Sequence, residues 1–189
     1  IASKYQDTVN NARAVYISGT ATLIEILQEA IVRDKVAKEK AKGNRITKEK
    51  VKKEIEVLFQ YLPKYREEII KHPNNIPPEK IVVFDEAQRM WNKEKLDKKI
   101  LKKIGRSKCL GISEPDLLIR QMNKHEKWAV IICLIGGGQE IHKGEYGTIE
   151  WLKSVKTNFP DWDVYLPHEI KTKEYLADVS EEEALDFEN

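Results

Sequence analysis

The chain is poor in the residues that would assign it to a class at once. It has two cysteines, Cys109 and Cys133, in 189 residues, at no metal-type spacing. That pattern excludes a disulfide scaffold and a zinc module, and it suits a reducing, intracellular compartment. The longest apolar run, WAVIICLI at residues 128–135, is far shorter than the roughly 20 residues a membrane-spanning helix needs, so no membrane partner is expected. No charged-then-apolar secretory leader opens the chain, and its first residue is Ile rather than Met, as in a fragment or a processed chain. Of the four histidines, His72, His125 and His168 show no ligand spacing, and His142 lies in a loop. No Ser-His-Asp or Cys-His arrangement and no solenoid-period repeat can be argued. Charge of one sign is lacking overall, because 33 Lys and Arg nearly balance 31 Asp and Glu.

What is present fits a soluble, charge-rich domain, 41% hydrophobic and 34% charged. A chain of this length fits one domain with an insertion and buries roughly 70% of its extended surface. The run AVYI before Ser18-Gly19-Thr20 reads as strand and tight turn. A helix follows, with Leu23, Ile26, Leu27 and Ala30 on one face and Thr20 or Thr22 as its cap. Residues 2–8 read as the last turns of an earlier helix. Residues 33–56 hold ten Lys or Arg against five acids, broken by Gly43-Asn44. Val51, Ile55, Leu58, Phe59 and Leu62 then restore helical spacing, so two helices are expected as an insertion at about 33–76. The core is expected at about 1–32 and 77–168, and an acidic tail at about 174–189.

Residues 81–84 (IVVF) and 128–135 are apolar throughout, as in strands covered on both faces. Short strands are also expected at 109–112 and 164–166. Helices are expected at 91–104, at 114–122 with Ser113 as cap and Pro115 in its first turn, and at about 147–155. Strands alternating with helices predict an α/β fold with a mainly parallel sheet.

In such sheets ligands bind beyond the carboxyl ends of the strands. Three loops fall there: Ser18-Gly19-Thr20, the DEAQR of residues 85–89, and the GGGQEIHKGE of residues 136–145. An apolar strand ending in Asp85-Glu86 suits a nucleotide hydrolase, one carboxylate for Mg²⁺ and the next for the attacking water. The same pair suits the start of a helix, where acids meet the positive end of the dipole. The three glycines let backbone approach a ligand closely, and Gln139 both donates and accepts, as a γ-phosphate sensor must. A flexible turn with an incidental Gln is the alternative reading of that loop. Arg89 and Lys143 are candidate phosphate contacts. Residues 89–108 carry nine Lys or Arg against two acids, a stretch suited to following a nucleic-acid backbone, with Lys99 and Lys103 as contacts. Trp91 within it either stacks on a base or anchors in the core.

Taken together, IVVFDEAQRMW, SEPDLLIRQM, WAVIICLIGGGQEIHKGEYGTIEWL and YISGTATLIEIL resemble the helicase-like P-loop family related to the C-terminal helicase region of Schlafen proteins, akin to superfamily-one DNA/RNA helicases. The likeness covers residues 1 to about 168 and is poor over 33–75. It implies a three-layer RecA-like P-loop NTPase domain, incomplete at its N-terminus, that binds ATP, Mg²⁺ and DNA or RNA. DEAQR then corresponds to the Walker B-type motif, with Asp85 on Mg²⁺ and Glu86 on the catalytic water. Gly137, Gly138 and Gln139 correspond to the loop that senses the γ-phosphate, and Arg89 is a further nucleotide contact. Ser18 and Thr20 correspond to a strand-contacting loop, although Thr20-Ala21 departs from the usual Asn-Pro. No G-x-x-x-x-G-K-[ST] loop, the phosphate cradle of that family, occurs in these residues.

The expectation is therefore part of an ATP-dependent helicase or translocase motor, inactive by itself. The alternative is a non-catalytic nucleic-acid- or protein-binding module that kept the fold. A metal-dependent nuclease using Asp85 and Glu86 ranks last, for want of further carboxylates.

Overall fold

The apolar runs become neighbouring parallel strands in a computed structural model that describes residues 13–103, 109–136 and 147–167. Arg13–Ser18 forms β1, Phe59–Tyr61 β2, Glu79–Phe84 β3 and Val130–Cys133 β4, in the spatial order β2-β1-β3-β4. Every pairing is parallel, with Val15 beside Val82 and Val82 beside Ile131. Helices α1 (Ala21–Ala41), α2 (Lys48–Glu56), α3 (Leu62–Lys71), α4 (Lys93–Lys103), α5 (Glu114–Met122) and α6 (Gly147–Asn158) complete the elements. The α/β class and the parallel sheet are as the patterning predicts.

Two compact units divide the chain: residues up to 85 with 125–133, which contain the whole sheet and α1–α3, and residues 86–124 with 134 onward, which contain α4–α6. In the first unit the central strands are buried on both faces, with Val15, Ile17 and Val82 at 0% exposure. The chain leaves β1 for β2 on one side and returns to β3 on the other. The direction of winding therefore reverses between β1 and β3, and in open parallel sheets ligands bind at the carboxyl ends beside such a reversal, here Ser18 and Phe84-Asp85.

Helix α1 runs unbroken to Ala41, well past residue 33, because Lys, Ala and Glu are strong helix formers, and it stops just before Gly43 at φ +80°. Its buried side is Ile24 and Val32. Ile26, expected on that face, is 60% exposed and Ala30 is exposed as well. Val32, Val51, Ile55 and Leu58 form a cluster joining α1 to α2 beneath the basic surface. The expected second helix ends at Glu56, and Phe59–Tyr61 is a strand beside β1, so the stretch expected as a two-helix insertion also supplies a strand to the sheet.

In the second unit, Ser113 caps α5 by accepting the Asp116 N–H at 3.4 Å, with Pro115 in the first turn as expected. Residues 109–112 are not a strand. The N–H groups of Leu110 and Gly111 donate to Asp97 Oδ1 at 3.0 and 3.2 Å, and Gly111 sits at φ +68°. Residues 164–166 are not a strand either, with Tyr165 90% exposed. The helix expected at 2–8 and the acidic tail lie outside the described residues. No helix of the described residues is long and apolar enough to cross a membrane.

Candidate functional site

Asp85 follows directly on β3. Its backbone N–H donates to the Ile17 carbonyl at 2.8 Å, which continues the β1–β3 ladder by one bond. Its carboxylate Oδ2 accepts the Ser18 hydroxyl at 3.0 Å, and Ser18 Oγ in turn accepts the Thr20 N–H at 3.2 Å. Ser18 is 1% exposed, whereas Gly19 and Thr20 are exposed. Ser18, expected as a direct nucleic-acid contact, is thus an internal residue engaged with Asp85, and the accessible part of that loop is Gly19 and Thr20. Thr20 occupies the N-cap of α1 but its side chain makes no capping bond there.

Glu86 opens the second unit in a left-handed conformation, φ 51° and ψ 45°, the one non-glycine residue with positive φ among the described residues. The next three residues, Ala87–Arg89, form a 3₁₀ turn to which Glu86 makes no capping bond. An α-helix starts only at Lys93, where Asn92 Oδ1 accepts the Lys95 N–H at 3.0 Å. The helix-cap account of Asp85-Glu86 therefore fails: no α-helix begins where the acids sit.

The turn is fixed from three directions inside its own unit. Ala87 N–H donates to the Leu134 carbonyl at 2.9 Å, and the Trp151 indole donates to the Ala87 carbonyl at 3.0 Å. Gln88, 5% exposed, spans two partners: its Nε2 donates to Glu86 Oε2 at 2.6 Å, and its Oε1 accepts the Gly136 N–H at 3.2 Å. Gln88 thus ties the second acid of DEAQR to the first residue of the glycine loop. No sequence signal singles out Gln88, because its partner Gly136 lies 48 positions away. Arg89 is exposed.

Lys99 and Lys103 lie on the exposed side of α4, which buries Leu96 and Ile100. The helix carries six lysines against two acids. Trp91 is half-buried, and the Lys95 and Lys99 ammonium groups sit 5.5 and 5.6 Å from its ring centre. Its backbone N–H donates to the buried Glu114 carboxylate at 2.9 Å. Trp91 is an anchored residue with cations over its ring, closer to the core reading than to a free stacking platform. Gly137, Gly138, Gln139, His142 and Lys143 lie outside the described residues.

Among the described residues no group of three or more His, Cys, Asp or Glu could hold an ion, so a protein-caged metal and a carboxylate-rich nuclease site find no support there. Mg²⁺ in nucleotide hydrolases takes one or two carboxylates and draws its remaining ligands from phosphate and water. One oriented carboxylate at the end of a buried parallel strand fits that requirement.

Compared with known families, residues 1–186 match the model of the Schlafen group 3, DNA/RNA helicase domain. No curated protein and no solved structure matches the chain.

Proposed function

The chain belongs to the Schlafen group 3 DNA/RNA helicase domain family, and from that premise we propose that this helicase-related module is the ATP- and Mg²⁺-binding part of a nucleic-acid motor. Its fold is read as a three-layer RecA-like P-loop domain, with the α1–α2 hairpin as the inserted part of residues 33–76. Asp85 is the Mg²⁺ ligand, and Glu86 orients the attacking water and accepts its proton. Gln139 senses the γ-phosphate, with Gly137, Gly138 and Arg89 as nucleotide contacts. Thr20, Lys99 and Lys103 contact DNA or RNA. Mg²⁺ held at Asp85 supplies the positive charge that offsets charge developing on the transferred phosphoryl group.

One observation carries the reading. Asp85 stands at the carboxyl end of β3, at the reversal point of a parallel sheet, with its carboxylate already oriented by Ser18. A surface acid serving only solubility needs no buried donor, whereas a metal ligand gains from a fixed orientation.

The test is nucleic-acid-stimulated ATP hydrolysis by the full-length protein. Glu86→Gln is expected to abolish turnover and leave nucleotide binding intact; turnover at the wild-type rate would overturn the assignment. A second reading, a binding module without ATPase activity, holds if the natural coding sequence carries no G-x-x-x-x-G-K-[ST] loop before Ile1. It predicts oligonucleotide binding with no nucleotide binding or turnover in the same protein.

A further inference from the structure

We propose that Ser18 is a positioning residue that links nucleic acid at the loop after β1 to the metal carboxylate of Asp85, so that each ligand tunes the affinity for the other. The inference rests on the roles proposed above for Asp85 and Thr20. It is carried by a two-bond chain within the first unit: Thr20 N–H to Ser18 Oγ at 3.2 Å, then Ser18 O–H to Asp85 Oδ2 at 3.0 Å.

A hydroxyl has one proton, and here it is directed to Asp85 while a lone pair receives the Thr20 N–H. Ser18 is 1% exposed, so water does not readily replace either bond. The Asp85 backbone is held by its own bond to Ile17 at 2.8 Å, which leaves rotation of the carboxylate as the free variable. Thr20, by contrast, is exposed and begins α1 from an extended conformation, φ −103° and ψ 103°. A phosphate or sugar engaging the Gly19-Thr20 backbone shifts the Thr20 N–H, and Ser18 Oγ is the atom that receives it. The displacement arrives at Asp85 as a change in the orientation of Oδ2. Linkage is reciprocal, so Mg²⁺·nucleotide at Asp85 alters nucleic-acid affinity by the same factor.

The experiment uses the full-length protein and a fluorescent ATP analogue. The analogue is titrated in Mg²⁺ and in EDTA, with and without single-stranded oligonucleotide. Wild type is expected to show a change in Mg²⁺·nucleotide affinity on adding oligonucleotide, about fivefold or larger, as for typical coupled sites. Ser18→Ala should reduce that factor to below about twofold, leave affinity in EDTA unchanged, and have no further effect in an Asp85→Asn background. Ser18→Cys, which keeps a weak donor, serves if Ser18→Ala fails to fold by circular dichroism, and it should give an intermediate factor. A Ser18 variant that melts earlier but keeps the wild-type factor has lost only a structural bond, and the link is then refuted. If Asp85→Asn leaves Mg²⁺-dependent affinity unchanged, or wild type binds no nucleotide, the underlying metal assignment fails and the link fails with it. If Asp85→Asn weakens binding while Ser18→Ala leaves the coupling intact, the metal assignment stands and only the link is overturned.

Discussion

Replacing Gln88 with leucine removes one donor and one acceptor from a position that is 5% exposed. The donor bond, to the Glu86 carboxylate at 2.6 Å, is charge-assisted. Such bonds contribute about 1.5–3 kcal/mol, with the lower end appropriate because Glu86 is half-exposed. The acceptor bond from Gly136 N–H, at 3.2 Å, is neutral and contributes about 0.5–1.5 kcal/mol. Leucine regains on the order of 1 kcal/mol through apolar burial at similar volume. The expected net loss is about 1–2 kcal/mol, or roughly 2–8 °C in melting temperature for a chain of this size. Gln88→Glu should cost more, because it keeps an acceptor for Gly136 but turns the donor facing Glu86 into a second carboxylate. The assay is urea unfolding followed by tryptophan fluorescence, to which Trp151, bonded to the Ala87 carbonyl, reports from the turn itself. In a cycle with Glu86→Ala the two substitutions should be non-additive by about 1 kcal/mol. A Gln88→Leu protein within about 0.5 kcal/mol of wild type, or an additive cycle, refutes the bridging role.

Three further outcomes rest on groups elsewhere in the chain. Burial pushes the Glu79 carboxyl above its ordinary 4.5, against smaller opposing pulls from its own backbone N–H, Arg13 and His125. The folded state then binds the proton more tightly than the unfolded one, and stability falls as pH rises from 4.5 through the raised value; Glu79→Gln should flatten that slope in urea midpoints, and equal slopes refute it. Burial also pushes the Cys133 thiol up to about 12, which leaves about one thiolate in ten thousand at pH 8, whereas Cys109 is exposed. A disulfide reagent should label one thiol per native chain quickly, and two fast equivalents contradict the burial. Val51, at 0% exposure in the α1–α2 cluster, should cost about 2 kcal/mol as alanine, read by thermal unfolding, and no loss would mean that the hairpin has no core of its own.

The parts foreseen from sequence were those decided locally. Ser113 and Pro115 mark the start of α5 by themselves, and the runs AVYI and IVVF become the buried central strands their continuity predicts. The run at 128–135, expected to be covered on both faces as well, instead supplies the last strand in the order, β4, with Val130 exposed and Ile131–Cys133 only half-buried. The parts missed depend on distant partners. Three residues, Phe-Gln-Tyr, carry no period, and β2 exists because β1 is available beside it, with Tyr16 N–H donating to the Leu58 carbonyl at 2.8 Å. Residues 109–112 have strand-like composition, yet the Asp97 carboxylate takes two of their N–H groups and bends them. The buried residues of α1 are Ile24 and Val32 rather than the expected Leu23, Ile26, Leu27 and Ala30, and Val32 is the one that meets the α2 cluster. In the candidate site the acids were apparent but their partners were not. Nothing in the string ISGT says that Ser18 turns inward to Asp85, a residue 67 positions away.

Glu86 is the residue whose identity the fold alone does not explain. Its φ of 51° lies where an L side chain costs about 1–2 kcal/mol and where Gly or Asn costs little. Gln88 recovers part of that through its bond to the carboxylate, but a fold needing only a turn at this point would be served as well by glycine. A local rule broken at the end of a sheet strand, next to an oriented Asp85, is the pattern expected where chemistry has dictated the residue. The consequence is measurable without any assay of activity. Glu86→Ala keeps the left-handed strain and loses the bond to Gln88, whereas Glu86→Gly loses the bond and relieves the strain. Glycine at position 86 should therefore be more stable than alanine by up to about 1 kcal/mol, after glycine's larger unfolded-state entropy is counted, which reverses the usual order. Both variants should lack any nucleic-acid-stimulated turnover that the full-length protein shows. Alanine more stable than glycine there would mean the residue is not held at positive φ, and the case for a strained, chemically chosen carboxylate would fall.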